Sequence, residues 1–155
     1  MNMLSDVSYG DRVIIEELRI PARIGVYAFE KTRVQTICLS LEFGLPSQAC
    51  FCSDDVQDTI DYAVVSERLR RLALSRHFNL IEFLSEQVAR LVIDEFGVLW
   101  VKVRARKIGV VPGAAYVGTA ITRVNIKAIG MAEAAQATVW DRPAQIARHV
   151  MEVGT

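Results

Sequence analysis

Four polar residues stand where the predicted strands and helices begin or end, and their side chains are of the kinds that move protons or hold a polar ligand. Glu30 follows the first predicted strand, and Lys107 closes the third. Tyr62 and Glu82 open the two long helices. The chain carries no Walker loop, no Gly-x-Ser-x-Gly and no His-Glu-x-x-His motif. The absence of these motifs argues against most catalytic templates. The four polar residues remain compatible with acid–base chemistry.

The spacing of histidines and cysteines does not support metal chemistry. His77 lies between the two helices and His149 in the C-terminal tail, and Cys50-x-Cys52 lacks the second pair that would complete a zinc set. We therefore predict no metal site and no cofactor. Together with Cys38 the chain has three cysteines, an odd number that favours reduced thiols. Reduced thiols in turn predict a cytoplasmic protein.

Length and charge bound the possible partners. With 155 residues and 52% apolar content, the chain is long enough for one compact core and short for two. The 18 basic and 18 acidic residues cancel, which argues against nucleic acid, a polybasic membrane contact or a polyanionic substrate. Residues 1–10 carry no apolar run, and no stretch approaches a membrane span. A small, nearly neutral molecule is the expected partner.

Alternating and helical patterns predict six elements that position these residues. Ile37, Leu39 and Leu41 alternate with polar residues in the second strand, whereas apolar residues at helical spacing mark two helices. Asn79 is predicted to cap the second helix, and 46–61 is predicted to be a long surface loop. The elements are strands at 12–24 and 35–45, helices at about 61–76 and 80–96, and strands at 100–107 and 117–128.

The order strand, strand, helix, helix, strand, strand (ββααββ) predicts an α+β fold, in which a four-stranded antiparallel sheet carries both helices on one face. An open sheet of this kind leaves edges on which another chain can pair, so we expect a homo-oligomer. The chain is predicted to form one domain over 1–127, followed by a peripheral C-terminal extension over 128–155.

Four segments resemble motifs of the dihydroneopterin aldolases. The most telling are 79–82, Asn-Leu-Ile-Glu, and 107–114, Lys-Ile-Gly-Val-Val-Pro-Gly-Ala. The segment 25–30, Gly-Val-Tyr-Ala-Phe-Glu, is similar to the loop that bears the family's first glutamate, and 54–62 is similar to the segment that bears its active-site tyrosine. Order and spacing match from residue 11 to residue 127.

The resemblance implies the tunnelling fold (T-fold), in which four-stranded subunits join edge to edge into a tetrameric ring and two rings stack into an octamer. It also implies active sites between subunits. Such enzymes are lyases that split 7,8-dihydroneopterin into 6-hydroxymethyl-7,8-dihydropterin and glycolaldehyde in folate biosynthesis, and many also epimerise the side chain at C2'. The expected partners are a small pterin and further copies of the chain, with neither nucleic acid nor membrane.

The same resemblance gives the polar residues their expected roles. A retro-aldol cleavage needs a base for the hydroxyl proton, a sink for the electrons of the breaking bond and an acid for the resulting carbon. The C6=N5 imine of a dihydropterin is such a sink, so neither a metal nor a lysine Schiff base is needed. Lys107 is expected to handle the hydroxyl proton, Tyr62 to relay it, and Glu30 to hold the water that reprotonates carbon. The expected substrate-binding residues are Glu82, as acceptor for the pterin N3–H and 2-amino groups, together with Ile81, Thr59 and Tyr62.

Each of these residues also has a purely structural interpretation. Glu82 lies three residues after Asn79, which is the spacing of a capping box. Lys107 is interpreted as part of a basic strand face with Lys102, Arg104 and Arg106, and taken alone it is a solvated lysine. Tyr62 falls on the apolar stripe of the first helix, which favours core packing, and Glu30 taken alone is an ordinary loop carboxylate.

One position departs from the family pattern, because Ile108 stands where a proline commonly follows the lysine. Proline would fix the backbone beside the amine, so Ile108 bears on the orientation of Lys107. Two other functions fit the sequence. One is epimerisation of dihydroneopterin triphosphate without cleavage, and the other is a non-catalytic pterin-binding or scaffolding protein that keeps the ring assembly.

Overall fold

A computed structural model describes residues 10–128 and 130 of the chain. Two four-residue helices and a 3-10 turn interrupt the simple predicted order of strands and long helices. The elements are β1 (Arg12–Ala22), α1 (Ala28–Lys31), β2 (Gln35–Gly44), α2 (Cys50–Ser53), the 3-10 turn (Val56–Asp58), α3 (Tyr62–Ser75), α4 (Ile81–Phe96), β3 (Trp100–Ile108) and β4 (Tyr116–Val124).

The four strands form one antiparallel sheet in the order β1-β2-β3-β4, which confirms the predicted sheet. The register between β1 and β2 slips between Ile15 and Leu18, where Glu17 has a φ of +55°. A bulge of this kind bends the strand and increases its twist. Strands β1 and β4 are the two edges of the sheet.

One face of the sheet carries the apolar core. Side chains alternate across a strand, so Val101, Val103 and Ala105 of β3 share a face, and all three are fully buried. They join one cluster with apolar side chains of both long helices, including Leu69 of α3 and Val88 of α4. Helix α3 packs against β1, and α4 packs against β3 and β4. Both helices therefore cover this face.

The helix ends differ slightly from the prediction. Asp61 caps α3 by accepting from the backbone N–H groups of residues 63 and 64, at 2.8 and 3.3 Å. The predicted cap of α4, Asn79, is wrong, because Leu80 is still extended and is itself the N-cap residue, without a side-chain cap. Gly97 ends α4 in left-handed backbone, with a φ of +66°.

Strand β4 ends earlier than predicted, at Val124 instead of residue 128. Val124 pairs with Trp100, the first residue of β3, so a longer β4 would have no partner there. The next residue, Asn125, donates its backbone N–H to Leu99 O at 2.9 Å. The first strand likewise ends at Ala22, short of the predicted residue 24.

The chain divides into two compact units, residues 1–125 and 126–155. In the second unit, residues 126–128 and 130 are helical. The rest of the predicted C-terminal extension lies outside the described residues, so its peripheral character stays a prediction. Across 10–128 and at 130, no helix is long and apolar enough to cross a membrane.

Candidate active site

Four of the residues singled out from the sequence meet in one cavity, which we call the Lys107 cavity. Glu30 of α1, Ile81 and Glu82 at the start of α4, and Lys107 near the end of β3 all line a space of about 520 Å³. Three distant parts of the chain thus bring two carboxylates and an amine together. Concave sites with a few convergent polar groups are typical of small-ligand binding.

Lys107 reaches the cavity because of strand alternation. It lies two residues after Ala105 in β3, and therefore on the face that the helices cover. The interpretation of Lys107 as part of a solvated basic face is wrong, because that face carries Arg104 and Arg106, of the opposite parity. The Lys107 side chain is 15% exposed, and its Nζ lies 2.8 Å from Glu30 Oε1.

The Glu30 carboxylate is buried and accepts three hydrogen bonds. Besides Lys107 Nζ, its donors are Gln35 Nε2 and the backbone N–H of Tyr27, both at 3.2 Å. The bond from Lys107 is the largest cause that lowers the Glu30 pKa from 4.5 to about 2, against the opposing effect of burial. Glu30 is therefore ionised at neutral pH. Its side chain is 8% exposed, so the interpretation as an ordinary loop carboxylate is wrong.

Gly25 makes room for this carboxylate. Its φ is +135°, a backbone conformation that residues with side chains rarely adopt. A Cβ at Gly25 would lie 2.1 Å from the carboxyl carbon of Glu30, far inside any permitted contact. Glycine therefore lets the loop after β1 pass directly beneath the Glu30 carboxylate.

The loop after β1 is tied to the connection between α3 and α4, which sequence reasoning missed. Gly25 donates its N–H to Phe78 O at 2.9 Å, and His77 Nε2 lies 2.7 Å from Gly25 O. The position of His77 between the two helices predicted no role for it in the site. Because 52 residues separate it from Gly25, no local pattern could have revealed this contact.

Lys107 is held in a defined orientation although Ile108, and not proline, follows it. The Lys107 backbone pairs with Ile37 of β2 on one side and Val117 of β4 on the other. Ile108 continues the ladder with β4 beyond it, while Glu30 holds the amine. The sheet therefore fixes the backbone of Lys107, and the ion pair fixes its amine.

Glu82 lies exposed in the first turn of α4. The capping-box interpretation is wrong, because Asn79 is not the N-cap and no side chain caps this helix. Within the described part of the chain, the Glu82 carboxylate accepts no hydrogen bond and forms no ion pair, while it lines the Lys107 cavity. Its two oxygens are free for a ligand that offers adjacent donors.

Tyr62 and Thr59 lie elsewhere in the chain. They line a second cavity of about 390 Å³, which we call the Tyr62 cavity and which Glu30 and Lys107 do not line. Tyr62 is 65% exposed, so the core-packing interpretation is wrong. It is the first residue of α3, whereas Val65, one turn later, is the first buried residue of this helix. Within one chain, the expected site residues therefore lie in two separate cavities.

Exposed apolar side chains lie beside both cavities. At the Lys107 cavity, the rings of Tyr27 and Phe29 stack in parallel with 5.8 Å between their centroids. Apolar patches of this kind mark interaction surfaces. The exposed side chains are Val26, Tyr27, Phe29, Leu80, Val110 and Val111 at the Lys107 cavity, and Val56 and Tyr62 at the Tyr62 cavity.

The groups in the Lys107 cavity that exchange protons are two carboxylates, the amine and the phenol of Tyr27. Among the described residues there is no group of three or more His, Cys, Asp or Glu side chains that could hold a metal ion. The arrangement is suited to bind a polar heterocycle and to move protons beside it.

Comparison with known proteins places this architecture in a family. Residues 13–122 match the family model described as FolB, dihydroneopterin aldolase. The chain is 36% identical over 115 residues to a dihydroneopterin aldolase of Escherichia coli strain K12, covering 74% of this chain and 94% of that relative. It is 34% identical over 117 residues to the Haemophilus influenzae dihydroneopterin aldolase, covering 76% and 99%. The structure of the E. coli dihydroneopterin aldolase in complex with neopterin matches with a TM-score of 0.70 and 35% identity, covering 74% of this chain and 99% of that chain.

Proposed function

Because the chain belongs to the dihydroneopterin aldolase family, we propose that it cleaves 7,8-dihydroneopterin by a retro-aldol reaction, as a carbon–carbon lyase of folate biosynthesis. The products are 6-hydroxymethyl-7,8-dihydropterin and glycolaldehyde. One observation carries the proposal: the buried Glu30–Lys107 ion pair lies in the same cavity as the free carboxylate of Glu82. The neopterin complex of the E. coli relative supports a pterin as the ligand.

Glu82 is proposed to anchor the pterin ring. The N3–H and the 2-amino group of a pterin are adjacent donors, and a carboxylate accepts such a pair with both oxygens. Ile81 and Val111, which line the same cavity, supply apolar surface for the ring. This placement directs the ring's side chain away from Glu82 and toward the ion pair.

The cleavage is proposed to begin at the 2'-hydroxyl, and Lys107, which is hydrogen-bonded to Glu30, handles the proton that this hydroxyl loses. The C1'–C2' bond then breaks, C2' becomes the aldehyde carbon of glycolaldehyde, and the electron pair moves through C6 to N5, which takes up a proton. A water held by Glu30 protonates C1', and N5 gives its proton up again. The pKa of Glu30, about 2, suits a group that holds this water as an acceptor. Because the imine receives the electrons, the proposed reaction needs no metal and no Schiff base.

We further propose that Tyr62 of the partner subunit completes the site and relays the hydroxyl proton, with Thr59 of the partner subunit beside the pterin. Support comes from the separate cavity and 65% exposure of Tyr62, and from the apolar side chains beside both cavities. Among the described residues, strands β1 and β4 each pair with a strand on one side only, so their outer edges offer backbone groups for assembly. The proposed assembly is a tetrameric ring, stacked in pairs into an octamer.

A cytoplasmic location and C2' epimerisation belong to the same proposal. Cys38, Cys50 and Cys52 are free thiols, as a reducing compartment maintains them. Epimerisation needs no additional group. If bound glycolaldehyde rotates and presents its opposite face before the C1'–C2' bond re-forms, C2' returns with inverted configuration.

Product analysis tests the proposed function. The protein is incubated with 7,8-dihydroneopterin, the pterins are separated by chromatography, and the aldehyde is trapped as a hydrazone. We expect equimolar 6-hydroxymethyl-7,8-dihydropterin and glycolaldehyde from the wild type, much less from Lys107→Ala, and wild-type amounts from the control Lys102→Ala on the opposite sheet face. Dihydroneopterin triphosphate is incubated in parallel: its inversion at C2' without cleavage of dihydroneopterin would establish the epimerase instead, and binding without turnover of either compound would establish the non-catalytic protein.

A further inference from the structure

The loop between β1 and α1, the short helix that carries Glu30, is held to the last turn of α3 and to the connection between α3 and α4 by hydrogen bonds. Three join backbone groups: Arg23 N–H to Ala73 O at 3.2 Å, Phe78 N–H to Arg23 O at 2.8 Å, and Gly25 N–H to Phe78 O at 2.9 Å. The fourth comes from a side chain, His77 Nε2 to Gly25 O at 2.7 Å. Of these four bonds, only the His77 bond depends on a side chain that a substitution can remove.

We propose that His77 is a positioning residue of the active site. By donating from Nε2 to the Gly25 carbonyl, it holds the loop after β1 in the conformation in which Glu30 pairs with Lys107. The kinetic part of this inference rests on the proposed function, whereas the effect on the ion pair does not.

Gly25 transmits this restraint to the carboxylate. The Glu30 carboxyl group lies so close above Gly25 that even a Cβ cannot fit between them, so a shift of Gly25 displaces Glu30. Gln35 Nε2 donates both to Ile24 O and to Glu30 Oε1, and Tyr27 N–H donates to Glu30 Oε2. The loop backbone and the carboxylate therefore move as one unit.

The second ring nitrogen of His77 supports this role. A carbonyl oxygen only accepts, so Nε2 carries a proton and donates it to Gly25 O. Nδ1 is buried and finds no hydrogen-bond partner among the described residues. An unsatisfied buried polar atom is unfavourable, and an apolar side chain would avoid it. Packing alone therefore does not account for a histidine here, whereas the bond to Gly25 does.

The test compares two substitutions that both lack the imidazole. His77→Gln keeps a terminal N–H donor at a reach similar to that of Nε2, and His77→Leu keeps none. Because both variants lack the ring, their difference isolates the hydrogen bond to Gly25 from the loss of the imidazole. Ser75→Ala, which removes an exposed hydrogen bond to Leu72 O at the end of α3, is the matched control.

We expect His77→Leu to have a kcat at least about tenfold below that of His77→Gln, because a displaced proton-transfer group is costly. Pterin affinity should differ little between the two, since Glu82 is held by α4. The loss of unfolding free energy between pH 5 and pH 3, which reports the Glu30–Lys107 pair, should also be smaller in His77→Leu. Ser75→Ala should match the wild type in both measurements.

Equal kcat and equal acid profiles for the Gln and Leu variants would overturn the inference. If the wild type cleaves no dihydroneopterin, the proposed function fails, and the acid profile alone decides on His77. If His77→Leu does not fold, His77→Asn takes its place, because its shorter amide matches the reach of Nδ1 and misses Gly25. An Asn variant that behaves like the Gln variant would then refute the role of His77.

Discussion

Acid should destabilise the wild-type protein more steeply than Glu30→Gln. The Glu30 pKa of about 2 lies below the ordinary value of 4.5, so the unfolded chain binds this proton more readily than the folded one. The stabilisation is therefore complete above the unfolded pKa and is lost as pH falls toward the folded pKa. The full difference corresponds to about 3 kcal/mol, of which about 2 kcal/mol is lost between pH 7 and pH 3.

The assay is urea unfolding followed by intrinsic fluorescence, at several pH values and one protein concentration, since assembly adds to apparent stability. Other carboxylates titrate equally in wild type and variant, so subtraction of the two curves isolates Glu30. Glu67→Gln, which removes an exposed partner of Arg71, is the control and should run parallel to the wild type. Parallel curves for wild type and Glu30→Gln would refute the buried ion pair and the ionised Glu30.

Three further predictions follow from the proposed mechanism. Cleavage should persist in excess EDTA, and borohydride should trap no adduct between substrate and lysine; loss of activity with EDTA, or a trapped adduct, would reject the imine as electron sink. Lys107→Ala should lower kcat by at least about a hundredfold while pterin affinity changes much less, because the amine acts on the proton in the transition state; equal losses in both would reduce Lys107 to a positioning group. Mixed assemblies of Lys107→Ala and Tyr62→Phe should recover activity that neither variant has alone, because some sites then combine both wild-type residues from different copies; no recovery would place the site within one chain.

The fold could be predicted from local patterns because its elements are locally regular. The alternation in β2 and the spacing of Val65 and Leu69 in α3 are properties of adjacent residues, and they locate the strands and helices closely. The predicted bounds are wrong where a residue distant in the sequence determines the end of an element. Strand β4 ends at Val124 because its partner begins at Trp100, which the β-branched composition of residues 117–128 does not encode.

The site could be predicted only in part. The family motifs name Glu30, Glu82 and Lys107, and the structure brings these three into one cavity. The parity of β3 already puts Lys107 on the same face as Ala105, and that signal was available in the sequence. The ion pair joins residues that are 77 positions apart in the sequence. The contact between His77 and Gly25 joins residues that are 52 positions apart. Such contacts follow from the packing of the loop on the helix connection, so residue spacing does not show them.

The central claim is that the Lys107 cavity is the dihydropterin site, and the most direct test is pterin binding to Glu82→Gln. Glutamine has one acceptor oxygen where the carboxylate has two, and its NH2 faces a ligand donor, so a charge-assisted bond worth roughly 1.5–3 kcal/mol is lost. Affinity measured by titration should therefore weaken at least about tenfold. The melting temperature should change little, because Glu82 caps no helix and forms no ion pair within the described residues. An unchanged affinity would contradict the assignment of Glu82 as the pterin anchor and of this cavity as the site.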